Sequence, residues 1–136
     1  MTEEETLALV DRISAAFAAH DIDAMVSHFA ENGAFVNAVG PDYFGTCYQG
    51  REEIRTYFEP LFEKAGDVRW DKHDIRAIGD KAYAEWRRHA TLADGTKQDW
   101  LGVDIYTFEN GKILKKDTYI KVVGLAFGMA SKFRYQ

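Results

Sequence analysis

Between residues 3 and 19 the apolar positions Leu7, Val10, Ile13 and Phe17 recur at helical spacing, so one stripe of an amphipathic helix faces a core. Thr2 and Glu5 have capping-box spacing, and Glu3, Glu4 and Glu5 sit where the helix dipole favours acids. Asp21 is the N-cap expected for a second, shorter helix that carries Ile22, Met25 and Phe29 and stops at Gly33. Residues 34–39 read as a short strand, and Gly40, Pro41, Asp42 and Gly45 mark a loop. A third helix opens near Gly50 and presents Ile54, Tyr57, Phe58, Leu61 and Phe62 on one face. Pro60 has no N–H to donate, which predicts a kink or break.

From Asp67 onward the period changes to two, and strands are predicted over 68–78, 81–93, 97–109 and 112–124. Asp94-Gly95 and Asn110-Gly111 are two-residue hairpin signals between the last three. Helices first and an antiparallel sheet afterwards is the α+β pattern, with helices covering one face of a curved sheet. If both turns are two-residue turns, Asp104 lies opposite Asp117 and Glu85, Gly102 opposite Tyr119 and Arg87, and Trp100 opposite Lys121 and His89. One face then carries these acids, bases and aromatics. The other collects Ala84, Trp86, Leu101, Val103, Ile105, Ile120 and Val122. A single bulge would shift part of this register.

Composition narrows the function classes. The chain has 136 residues, 46% apolar, which suits one domain with one core (residues 1–136, with 125–136 as a C-terminal tail). Lys and Arg number 17 against 22 Asp and Glu, a net charge of −5 with no basic block, which argues against nucleic acid or an anionic membrane as partner. The opening MTEEETLALV is acidic where a signal peptide is basic, so the expected location is cytoplasmic. The lone Cys47 and the absence of a CxxC or HExxH spacing point to no metal, and no organic cofactor is expected.

Three strings, HDIDAMVSHFAENGAF, YQGREEIRTYF and WLGVDIYTFENGKI running into KKDTYIK, resemble the nuclear transport factor 2-like superfamily, most of all its SnoaL-like polyketide cyclase and ketosteroid isomerase branches. The resemblance implies a cone: a strongly bent sheet wrapped around helices, with a pocket between them and an outer sheet face that often forms a dimer. It also implies site positions. Where the isomerase branch has its base Asp this chain has Asn37, and where it has an oxyanion-donor Tyr the chain has Ile13. The second oxyanion acid matches Asp104, and the cyclase acid/base Asp is replaced by Lys121. An amide takes no proton, so neither standard mechanism carries over intact.

The candidate residues each have a functional and a structural reading. Asp104 and Asp117, if opposed in a low-dielectric pocket, cannot both be comfortably ionised, which sets a general acid beside a general base; alternatively Lys121 or Arg87 neutralises them as a structural network. Lys121 among Trp100 and Tyr119 acts as a cation stabilising an enolate or carboxylate, or as an amine nucleophile, or pairs with an acid. The tail GLAFGMASKF is expected to close the pocket above it. His89 shuttles protons or serves as a rim histidine. Asn37 orients a substrate carbonyl or satisfies backbone groups. Tyr57, Phe58, Trp100, Tyr106 and Tyr119 supply apolar lining or core. Two functions follow: a cofactor-independent enzyme of proton-transfer type (isomerase, lyase, cyclase or hydrolase) on a small, partly apolar substrate, or a non-catalytic ligand-binding or dimerisation module. The expected partners are a small molecule and a second copy of the chain, through Leu101, Val103, Ile105, Ile120 and Val122.

Overall fold

In the computed structural model, which describes residues 1–122, Thr2 caps α1 (Glu3–Ala18) with both arms of the capping box in place. The Glu5 backbone N–H donates to Thr2 Oγ1 at 3.0 Å, and the Thr2 N–H donates back to Glu5 Oε1 at 3.4 Å. Asp21 caps α2 (Ile22–Ser27) by accepting from Ala24 N. This helix ends well before Gly33. The chain turns at His28 and enters β1 (Phe29–Val36), because Phe29 is wanted in the sheet, beside Ile113. A short β2 (Cys47–Gln49) precedes α3 (Gly50–Lys64), which runs through Pro60 without a break. Four strands follow: β3 (Arg69–Ile78), β4 (Lys81–Thr91), β5 (Lys97–Glu109) and β6 (Lys112–Ile120). The expected tail lies outside the described residues.

The six strands form one curved, unclosed sheet in the order β2-β1-β6-β5-β4-β3, antiparallel except where β1 runs parallel to β6. Helices pack on its inner face over a core of Val10, Ile13, Phe17, Phe29, Phe35, Ile54, Phe58, Tyr106 and Ile113. This is the α+β architecture predicted. None of the helices among the described residues is long and apolar enough to cross a membrane.

The register differs from the predicted one, and the difference reassigns the site. At the β4–β5 turn Thr91 pairs with Lys97, and the Leu92 N–H donates to the Thr96 carbonyl. The loop is therefore three residues long, Ala93-Asp94-Gly95, with Gly95 in the left-handed region at φ 87° as such loops require. Every β4 residue moves by one against β5. At the β5–β6 turn Asn110 (φ 51°) and Gly111 (φ 73°) do form the two-residue turn, and Glu109 opposes Lys112. Leu114 then bulges out, so that Thr107 pairs with Lys115 and Asp104 with Thr118. Because side chains alternate, each one-residue slip sends a strand's side chains to the opposite faces.

Candidate functional site

With that register the inner face carries Trp86 and Arg88 from β4, Trp100, Gly102, Asp104 and Tyr106 from β5, and Lys116, Thr118 and Ile120 from β6. The residues expected opposite Asp104 go outside. Asp117 pairs with Ile105 and Tyr119 with Val103, and Tyr119 is 55% exposed. Lys121, exposed, donates its backbone N–H to the Leu101 carbonyl, on the outer side of the sheet from Asp104. His89 also faces out, its ring nitrogens 3.1 Å from Asp71 and 3.7 Å from Asp99 in a surface cluster that Arg87 joins. The proposed groupings of Asp104 with Asp117, Lys121 and His89 are thus corrected: the slips separate them across the sheet. Trp86, Ala84 and Ile120, expected outside, lie inside for the same reason, leaving Leu101, Val103 and Ile105 on the outer face.

Asp104 is 2% exposed, and both of its carboxylate oxygens accept hydrogen bonds. Its Oδ1 accepts from Thr118 Oγ1 at 2.6 Å and from Lys116 Nζ at 3.1 Å, and its Oδ2 accepts from Trp86 Nε1 at 3.0 Å. Lys116 also donates to Thr118 Oγ1 at 3.1 Å, and its ammonium lies 4.8 Å from the centre of the Phe35 ring. A carboxylate has about four acceptor positions. Three are taken by the described residues, and the one open among them is on Oδ2.

Gly102 makes this possible. The indole of Trp86 lies where a side chain at 102 would be: a Cβ there would stand 2.8 Å from Trp86 Cζ2 and closer still to Cη2. The missing side chain lets the ring lie flat across β5 and aim its N–H at Asp104.

Next to this cluster a cavity of about 20 Å³, room for a single water, is bordered by Ser14, Lys72, Asp104 and Lys116. The Ser14 hydroxyl has no hydrogen-bond partner among the described residues. Burial lowers the pKa of Lys72, with Lys116 adding to that effect and Asp104 opposing it. Burial likewise drives the Tyr106 phenol well above its ordinary range, with the Asp104 charge adding to it.

Toward the end of β1 the inner face continues into Asn37, 9% exposed, and the α3 residue Tyr57, whose hydroxyl hydrogen-bonds with the Asn37 side chain. Burial raises the Tyr57 pKa, against the lowering effects of Asn37 and Arg88. This phenol therefore remains a donor through the neutral range. Arg88, 7% exposed, lies with its guanidinium carbon 4.5 Å from the Trp100 ring centre and 5.9 Å from that of Trp70.

Of the sequence candidates, Asp104, Asn37, Tyr57 and Trp100 line this inner face, while Phe58 and Tyr106 belong to the core, Tyr106 on the side next to Asp104. Sequence reasoning missed Lys116, Thr118, Trp86 and Arg88. One signal for the first two was available: Ile113-Leu114 puts two apolar residues in succession where strict alternation allows one, the mark of a bulge. Among the described residues no group of three or more His, Cys, Asp or Glu is arranged to hold a metal ion.

The sequence profile of the SnoaL-like domain matches residues 10–115. No protein of curated function matches the chain. Among solved structures, a nuclear transport factor 2-like protein of unknown function from Burkholderia pseudomallei K96243 is similar at a TM-score of 0.76 and 16% identity, over 89% of this chain and 92% of that one. A proposed SnoaL-like polyketide cyclase from Jannaschia sp. CCS1 gives 0.75 at 13% identity, covering 87% and 86%. A protein of ketosteroid isomerase-like fold from Catenulispora acidiphila DSM 44928, solved with trimethylamine, gives 0.72 at 18% identity, covering 82% and 83%. At these identities the likeness establishes the shared fold.

Proposed function

The chain belongs to the SnoaL-like domain family, and from that premise we propose that it is a small-molecule enzyme of proton-transfer type, acting on a partly apolar carbonyl compound at the inner face of the sheet. The observation that supports this reading most is the state of Asp104: a buried carboxylate fixed by Lys116, Thr118 and Trp86, with one acceptor position left on Oδ2. The cavity beside Asp104 has room for one water, so the proposed step requires the inner face to open as the substrate enters; Oδ2 then takes a proton from the carbon beside the substrate carbonyl. The electron pair moves onto the carbonyl oxygen, and Tyr57 O–H and the Asn37 amide donate to the oxyanion as it forms. Returning the proton to another carbon completes an isomerisation. Lys116 keeps the carboxylate in place and offsets its charge in the apolar surroundings.

The test is deuterium exchange in heavy water with a panel of enolisable cyclic ketones and β-diketones, followed by NMR. The native chain is expected to exchange the acidic carbon position. Asp104→Asn removes the base and is expected to slow exchange about 10²–10⁴-fold, while Tyr57→Phe, which leaves the buried cluster intact, is expected to slow it less. Exchange unchanged in Tyr57→Phe and in a folded Asp104→Asn would overturn the reading. A second reading, a ligand-binding module without turnover, is favoured by the three protein donors already on Asp104. Saturable binding of panel members with no exchange would establish it.

The outer face leads to a separate proposal. Leu101, Val103 and Ile105 are partly exposed there, with Tyr119 beside them, and a second copy of the chain is the occupant we propose. A solution mass near 31 kDa, about twice the 15.5 kDa of one chain, is expected by light scattering. Conversion to the single-chain mass is expected in Val103→Glu, and a native chain that is monomeric at micromolar concentration would refute it.

A further inference from the structure

Arg88 is a buried cation with no counter-ion among the described residues. It is 7% exposed, and its one side-chain hydrogen bond among the described residues goes from Nη1 to the neutral Oε1 of Gln98 at 2.9 Å. No carboxylate among those residues lies within ion-pair distance of it. The acid whose charge acts on it, Asp67, is bound at the surface by the Thr91 N–H at 2.9 Å and the Thr91 hydroxyl at 2.5 Å. Residues 123–136 contain no Asp or Glu. Of the other charged residues in the fully buried set, Lys116 and Asp104 neutralise each other at 3.1 Å. A guanidinium held out of water with one neutral acceptor is costly to fold, because buried charges are stable when paired.

Its surroundings describe what would pair with it. Trp100 and Trp70 contribute aromatic surface around the guanidinium, and Tyr57 is close enough for its charge state to influence Arg88. The Tyr57 hydroxyl and the Asn37 amide add neutral donors on the same inner face. The guanidinium fits a planar acceptor with two oxygens, and the two indole faces beside it fit a flat apolar body. We infer that Arg88 is the docking point for a carboxylate carried on a flat, apolar ligand, so that the substrate of the inner-face site is an organic acid. This deepens the proposed function by naming the substrate class, and it rests on reading the inner face as a small-molecule site.

The geometry suits the pairing. A guanidinium presents parallel N–H groups that engage both oxygens of a carboxylate, which an ammonium does not do. A ligand amide of the same shape offers one acceptor oxygen and no charge, so the contrast between acid and amide isolates this interaction.

The experiment uses the full chain and equilibrium binding, which requires no turnover. Benzoate, 2-naphthoate and cinnamate are titrated by calorimetry and by thermal shift, each beside its primary amide. At least one acid is expected to bind at least about tenfold tighter than its amide, one charge-assisted contact's worth of discrimination. Arg88→Gln is expected to abolish that preference, and Arg88→Lys to restore it only in part. As a measurement independent of any ligand, Arg88→Met is expected to raise the melting temperature of the free protein, because it removes an uncompensated buried charge. A structural arginine serving only Gln98 and the two tryptophans would lower it instead. If no acid is preferred to its amide, or if Arg88→Gln leaves the preference intact, the inference is overturned. Acid-selective binding without proton exchange would uphold the Arg88 assignment and remove the enzyme reading, whereas exchange of neutral ketones with no acid preference would do the reverse.

Discussion

Gly102→Ala is the substitution that tests how the buried cluster is built. The new methyl carbon would stand 2.8 Å from Trp86 Cζ2 and 2.6 Å from the Tyr119 carbonyl oxygen, both inside contact distance. The indole has to give way, and the backbone has to shift at the Tyr119 oxygen as well. The indole is 1% exposed and holds Asp104 Oδ2 at 3.0 Å. Overpacking costs about 1–3 kcal/mol, and losing a hydrogen bond to a buried charged acceptor costs about 1.5–3 kcal/mol. Against these stands a gain of up to about 1 kcal/mol from replacing a strand glycine. A net loss of about 3 kcal/mol is expected, read as a lower urea midpoint followed by circular dichroism and tryptophan fluorescence. A double-mutant cycle identifies the cause. In Trp86→Phe the smaller ring stops short of the contested space and the hydrogen bond is already gone, while the backbone contact with the Tyr119 carbonyl remains; Gly102→Ala is expected to cost about 1 kcal/mol there, which gives a coupling of about 2 kcal/mol. A cost below about 0.5 kcal/mol in the native background, or costs that simply add, would refute the account of how Trp86 reaches Asp104.

The elements were largely legible and the site was not, for one physical reason. Local signals decide what an element is: Thr2 and Glu5 fix the start of α1, and Asn110-Gly111 fixes a turn in which both residues adopt positive φ. Which side chains face inward depends on counting residues through every turn and bulge, and an error of one inverts the result. The loop at Ala93-Asp94-Gly95 and the bulge at Leu114 each introduced such an error. Alternation gave no warning on β5, because Leu101, Val103 and Ile105 are as apolar as Trp100, Tyr106 and Phe108. A partly apolar outer face hides which side is the core. The helix expected to run on to Gly33 failed differently, since Phe29 suits a helix stripe by spacing and only its long-range pairing with Ile113 places it in a strand. Asp104 was picked out by the predicted register as well as by the family resemblance, while its true partners needed the correct register.

The remaining expectations concern the same interior and the helix end beneath it. Lys116→Met leaves Asp104 buried without its cation and is expected to cost about 3–5 kcal/mol, with much of the loss recovered when Asp104→Asn is added; a single variant as stable as the native chain refutes the pairing. Lys72→Met is expected to raise the melting temperature by about 3 °C, as for a gain of about 1 kcal/mol, because burial disfavours the lysine's charged form; a lower melting temperature refutes it. The last expectation is a pH dependence set by His28. Burial, then Lys112, then Arg12 lower its pKa from the ordinary 6.5, all of them disfavouring the imidazolium. In the window between the folded value and 6.5 the unfolded chain binds the more protons, so stability rises with pH there. The contribution is complete above about 6.5 and is lost as pH falls through the folded value. His28→Asn removes this titration and leaves the carboxylates as they were. Stability measured by urea denaturation from pH 7.5 to 5 is therefore expected to fall more steeply in the native chain than in His28→Asn, and parallel profiles would refute the assignment.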